Sequence, residues 1–185
     1  GKKHDGSRWD ADLLVPLWWI TEQQAKVGGE VYISVPECGI NGHARVVTLG
    51  PCPKIHDIDG RVVTSVFRHH SANVLDLRIE GLDEPIGTTA NHPFFSVDSA
   101  EFVRADELQP GEMLRLIDGT PIRVVSSTPR PGTHTVYNLQ VSVDHVYHVS
   151  KAGVLVHNAK PCSVDLTKMV NETDLPKKGL HIKVN

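Results

Sequence analysis

The sequence predicts an all-β fold with a short N-terminal helix. Three observations carry that expectation. Apolar residues, many of them β-branched, alternate with polar ones over short runs, as in Val31, Ile33 and Val35 or Leu75, Leu77 and Ile79. Turn sequences rich in Gly, Pro, Asn and Asp separate the runs at close intervals. Helical spacing of apolar residues occurs only near the N-terminus. With 39% hydrophobic and 22% charged residues, the 185-residue chain has ordinary globular composition and is long enough for one domain with a real core.

Residues 1–10 are polar and read as a mobile lead-in. Asp12 is placed to cap a helix from Leu13 to about Val27, with Pro16 in its first turn and Gly28-Gly29 as its stop. Leu13, Leu17, Trp18, Ile20 and Ala25 fall near one face of that helix. Trp9, Trp18 and Trp19 are expected to serve burial. A strand follows from Glu30 and ends at Pro36. Asn41-Gly42 is a turn signal, and His43–Leu49 is a second strand. Gly50-Pro51-Cys52-Pro53 breaks the pattern, and Asp59-Gly60 marks another turn. Arg61–Arg68 and Val74–Glu80 are the third and fourth strands. Phe94-Phe95 are core candidates. Met113–Ile117 and Ile122–Ser127 flank Asp118-Gly119 as a hairpin. Thr128–Gly132 is a Pro-rich connection.

The next stretch, Val136 to Asn158, holds two alternating apolar segments around Lys151-Ala152-Gly153 and predicts a hairpin whose second strand ends on His157-Asn158. Beyond it the character changes. Residues 159–185 carry five lysines against Asp165, Glu172 and Asp174, and Gly179–Val184 has the pattern of one more strand. This divides the chain into 1–28, a lead-in and helix; 29–158, the main domain; and 159–185, a tail.

The end of the main domain also resembles a known family. Val136-Tyr137-Asn138-Leu139, His145-Val146-Tyr147 and Gly153-Val154-Leu155-Val156-His157-Asn158-Ala159 are similar to the C-terminal end of a Hint domain. Hint domains are the self-cleaving modules shared by inteins and Hedgehog proteins, and the resemblance is closest to the pretoxin Hint domains of bacterial polymorphic toxins. Upstream, Thr88-Thr89-Ala90-Asn91-His92-Pro93-Phe94 resembles the family's Thr-x-x-His signature, with Thr89 and His92 as the pair. Phe102 to Glu112 is similar to the turn that follows it, with Glu112 in the acidic slot. The two motifs in order form a fairly specific signal, and the resemblance spans about Leu13 to Ala159. It implies a Hint/intein-like β-fold for 29–158 and the start of a downstream toxin cargo, cut short, for 159–185.

The chemistry implied is cleavage after Asn158. An Asn side-chain amide can attack its own backbone carbonyl, close a succinimide and expel the next residue's amine. The nucleophile is poor, so the fold must hold it aligned. The leaving amine needs a proton and the oxyanion a donor, roles suited to histidine. By the resemblance, His157 and His145 are the candidates. Full splicing needs a second nucleophile after Asn158, and Ala159 has no hydroxyl or thiol. Cys38, in Glu37-Cys38-Gly39-Ile40, lacks the Gly-Thr context of the family's opening nucleophile and reads as an ordinary small residue. Without an N-terminal scissile bond, Thr89 and His92 have two open readings: residual catalysis, or a turn hydroxyl with a hydrogen-bonded core histidine.

The implied function is therefore self-cleavage at Asn158-Ala159 that releases a C-terminal cargo held in cis. The alternative is a degenerate Hint scaffold that presents or shields the cargo without cleaving. A third reading, an unrelated His-rich β-domain binding metal, has little support: no Cys-x-x-Cys pair is present, and His69-His70 or His145 with His148 lack a carboxylate or thiolate at ligand spacing. No cofactor and no metal are expected. A net charge of −3 gives nucleic acid no basic surface to bind, and no apolar run reaches the ~20 residues of a membrane span. A monomer is expected. Cys38, Cys52 and Cys162 do not form a disulfide framework. No secretory signal is evident, and Gly1 in place of Met suggests a fragment or processed piece, expected to come from a larger exported bacterial toxin.

Overall fold

The computed structural model describes residues 1–4, 6–55, 60–157 and 179–185. In chain order its elements are β1 (Trp9–Pro16), α1 (Leu17–Glu22), β2 (Glu30–Val35), a 3-10 turn (Pro36–Cys38), β3 (Ile40–Pro51), β4 (Val63–Ser71), β5 (Val74–Ile79), β6 (Ile86–Thr89) and β7 (Pro93–Ser96). There follow β8 (Glu101–Arg104), β9 (Met113–Arg115), β10 (Pro121–Arg130), β11 (His134–Val141), β12 (Val146–Val149), β13 (Val154–His157) and β14 (Gly179–Val184). The all-β expectation holds, with one short helix. The chain separates into two compact units rather than one. Of the predicted features, the Asp59 position of the Asp59-Gly60 turn, Asn158 and Ala159 lie outside the described residues.

The first unit holds Gly1–His70, Tyr137–His145 and, from the tail, the described residues 179–185. Its six-stranded sheet runs β11-β4-β1-β14-β3-β2. Trp9, Val15, Ile40, Val46, Ile182 and Val184 anchor its core, each at 2% exposure or less.

The predicted helix from Leu13 is corrected here. Residues 9–16 form β1 instead, and the helix occupies only Leu17–Glu22. Trp9, Ala11, Leu13 and Val15 are all buried, the spacing of two that one face of a strand requires. Leu13 pairs with Ser65 on one side and Ile182 on the other, so β1 is an interior strand, and two flanking ladders outweigh local helical spacing. Pro16 closes β1 and stands at the N-cap of α1. Asp12 does not cap a helix: its Oδ1 lies 3.0 Å from His181 Nε2. Trp9 and Trp19 are buried as expected, while Trp18 is 46% exposed.

A second correction concerns Asn41-Gly42, which lies inside β3 rather than at a turn. Asn41 pairs with Ser34 and Gly42 with Ile33, and the reversal occurs one step earlier, at Pro36–Cys38 and Gly39. Gly39, at φ 63, supplies the left-handed residue the reversal needs.

The second unit holds Ser71–Val136 and, of the described residues, 146–157. Its sheet runs β12-β13-β7-β9-β10-β5-β6, with β8 on β7. Leu77, Phe94, Leu114, Val124, Val154 and Val156 are fully enclosed in its core. The predicted hairpin at Val154 is present, as Val146↔His157 through Val149↔Val154. Its first strand is shorter than the alternation from Val136 suggested. β11 ends at Val141 in the first unit's sheet, and Ser142–His145 breaks the run, with Val143 at φ 65 and His145 at φ 55. The hairpin turn uses Gly153 at φ 72, where an added Cβ would stand 2.9 Å from Ile117 Cγ2. The Pro-rich connection at Thr128 is partly strand: β10 continues to Arg130, opposite Val74, and Arg130 Nε donates to Asp76 Oδ1 at 2.6 Å.

Candidate functional site

The Thr-x-x-His spacing is a turn. Between β6 and β7, the His92 N–H donates to the Thr89 carbonyl at 3.0 Å, closing Thr89-Ala90-Asn91-His92. Three further bonds pin it. Ala90 N–H donates to Asn73 O at 3.1 Å, Asp106 N–H to Ala90 O at 2.9 Å and Ala105 N–H to His92 O at 3.0 Å. The buried Thr88 hydroxyl also donates to the Thr89 carbonyl, at 3.3 Å. The segment after β8, which the sequence marked as family-like, thus holds the turn through the backbone of Ala105 and Asp106. Glu112 closes that segment's own bend, where its Oε2 accepts from the Gln109 N–H at 3.0 Å.

Aromatic rings surround His92. Phe94 meets it edge-on at 5.8 Å between centroids and Tyr147 at 6.2 Å. Withdrawal from water, together with the nearby His157 ring, pushes its pKa down to about 4. His92 is therefore a neutral imidazole at neutral pH, able to donate through one ring nitrogen and accept through the other. His157 closes β13, opposite Val146, and rests edge-on against Phe102 at 5.0 Å. β13 meets β7 at Val156↔Phe94, and β7 meets β8 at Phe95↔Phe102, so β13 and β8 present His157 and Phe102 next to the turn that leads into β7 and carries His92.

Of the five residues singled out in the sequence, the second unit brings His92 and His157 into electrostatic contact and places Thr89 on the same turn as His92. His145 belongs to the first unit, one residue before β12. Asn158 lies outside the described residues. Sequence reading missed Phe102 and Tyr147 as packing partners of the histidines. Tyr147 sits in the quoted His145-Val146-Tyr147 motif, and Phe102 opens the family-like segment that runs to Glu112. It also missed a tie inside the first unit. Asn138 Nδ2 donates to Cys38 Sγ at 3.1 Å, with both residues buried. The Asn of the Val136-Tyr137-Asn138-Leu139 motif thus holds the thiol at the end of the 3-10 turn. Among the described residues, no three His, Cys, Asp or Glu side chains converge as a metal site would need. No helix among them is long and apolar enough to cross a membrane.

The fold is that of an intein. The chain superposes on the TvoVMA intein with a TM-score of 0.50 at 16% identity, over 81% of this chain and 98% of that one. It is also similar to a bacterial intein-like domain from Clostridium thermocellum, at 26% identity and a TM-score of 0.46, over 85% of this chain and all of that one. No curated protein matches. The family model of the pretoxin HINT domain matches residues 54–159, more than half of the chain. The chain belongs to the pretoxin HINT domain family and is an intein-like autoprocessing domain.

Proposed function

We propose that this domain cuts its own chain between Asn158 and Ala159. The Asn158 side-chain nitrogen attacks the Asn158 carbonyl carbon, and the bond to the Ala159 nitrogen breaks. The proton lost from the amide ends on the departing amine. The N-terminal product closes on a succinimide, and the C-terminal product begins with Ala159. His157 and His145 donate and relay the protons, and Thr89 and the neutral His92 supply further polar groups to the reaction. The processing region is 29–158, and 159–185 begins the released cargo, a toxin segment joined in cis. The observation that carries this reading is the electrostatic proximity of His92 and His157, from separate motifs, at the start of β7 and the end of its neighbour β13, with His157 next in the chain to Asn158. A lowered pKa at a clustered histidine is the kind of perturbation that functional sites show.

The test is intact mass after incubation of the full chain, with Asn158→Ala as the comparison. A fragment starting at Ala159 is expected from the parent and none from the variant, with the circular dichroism of the two unchanged. Release of the same fragment by Asn158→Ala would sink cyclisation. Its absence from both would leave a non-cleaving scaffold.

A further inference from the structure

The strand that follows the proposed scissile bond is not at the margin of the fold. β14 lies between β1 and β3, antiparallel to both, with register Ala11↔Val184 to Pro16↔Gly179 on one edge and Leu180↔Pro51 to Val184↔Val46 on the other. Its end is held as well: Asn185 N–H donates to Arg45 O at 3.0 Å, and Arg45 N–H to Asn185 O at 2.8 Å. Ile182 and Val184 are 0% exposed within the first unit's core, and Leu180 packs against it. On the other face Asp12 meets His181 at 3.0 Å and Lys183 at 3.8 Å, which favours this register over a slipped one.

We infer that β14 is a retention strand: cutting after Asn158 ends the covalent link but leaves the C-terminal product bound, through residues 179–185, in the sheet of the first unit. The inference rests on the cleavage reading for its biological setting, but its physical basis does not require self-cleavage. Removing β14 would strip ladder partners from β1 and β3 together and open the core around Ile182 and Val184. Paired backbone groups would have to be exposed at two strand edges at once. The interaction is a β-augmentation in which the chain supplies its own peptide. Main-chain bonds give the affinity, and the alternate side chains Leu180, Ile182 and Val184 give the specificity. Cleavage and release are then two steps, and release requires a competing extended peptide or an unfolding force.

The test separates this from self-cleavage. A site for a sequence-specific protease is inserted between Lys168 and Met169 of the full chain, and the purified protein is cut with that protease. Native mass spectrometry and gel filtration then follow both fragments. Retention predicts one complex in plain buffer that separates only in concentrated urea. The amides of residues 180–184 should exchange at least ~100-fold slower than in the free peptide. A C-terminal fragment that elutes alone in plain buffer, or unprotected amides, would overturn the inference. Ile182→Asp in the same cut protein should lose the fragment without urea. Retention equal to that of the parent would show that β14 is not what holds it. Should Ile182→Asp fail to fold, the parent measurement still decides. Uncut protein incubated alone reports self-cleavage separately, so a null result there leaves the retention result standing.

Discussion

The two units are assembled from strands in opposite ways. In the second unit β5 with β6, β7 with β8, β9 with β10 and β12 with β13 are neighbours both in the chain and in the sheet. In the first unit β2 with β3 is the pair of that kind, while β1 lies between β4 and β14 and β14 between β1 and β3. Hairpins close short loops at little entropic cost, whereas pairing β1 with β14 closes a very long one. The difference assigns the units different work. The locally built unit carries the aromatic and histidine cluster, and the unit built from remote strands holds the segment beyond the proposed cut.

The sharpest challenge to that division is a pair of histidine substitutions. His157→Ala alters the second unit and His145→Ala the first. If both groups move protons, each should slow appearance of the Ala159 amino terminus by ~10²–10⁴, measured as fragment mass against time. A loss confined to His157→Ala would place the chemistry in the second unit alone, and unchanged rates in both would remove histidine from the mechanism.

Core truncations probe the two units directly. Phe94→Ala should cost about 3–5 kcal/mol and Ile182→Ala about 2–5 kcal/mol in urea unfolding. Residue-resolved hydrogen exchange should show the first change opening the second unit, and the second opening the first. Equal acceleration throughout the chain for either variant would make the two units one cooperative body.

A pH titration of stability tests the site. The folded-state pKa of His92 is lowered to about 4 from the ordinary 6.5. Between these values the unfolded chain takes up a proton that the folded one refuses. The contribution of His92 is therefore complete above pH 6.5 and is lost as pH falls toward 4, by at most about 3 kcal/mol. His92→Leu should flatten that part of the Tm-against-pH curve. The same slope in parent and variant would assign it to another group.

The smallest effect is expected at Cys38. Cys38→Ala removes a buried thiol and the acceptor of Asn138 Nδ2, a cost of about 1–2 kcal/mol. The rate at Asn158 should not change, and hydroxylamine or added thiol should produce no break before Cys38. A fragment ending at Glu37 would show a nucleophile in the first unit and return Thr89 and His92 to an N-terminal scissile bond.

Particular residues show how much of the fold was legible in the sequence. Leu75, Leu77 and Ile79 announced β5, and Val154-Leu155-Val156 with Gly153 announced the last hairpin, because period-two patterning and a turn glycine act within a few residues. Thr89 and His92 were legible as a pair through their resemblance to the Thr-x-x-His signature, whose four residues the structure closes as a turn. Leu13 to Val27 misled, because its apolar spacing fits a helix as well as a buried strand and only the ladders with β4 and β14 decide between them.

In the sequence by itself, short-range patterning was enough for the β class and for the β9–β10 and β12–β13 hairpins, and the family resemblance was enough for the motif residues; the pairs β5–β6 and β7–β8 were not legible. Patterning also marked Gly179–Val184 as a strand, because alternation is a property of the strand alone. The folded chain alone shows that this strand lies between β1 and β3, that the His157 ring stands near enough to lower the His92 pKa, and that Asn138 donates to Cys38. Each of those pairings joins residues far apart in the chain. What selects them is the burial of surfaces such as Ile182 and Val184 against a particular partner, a choice that short-range patterning does not encode.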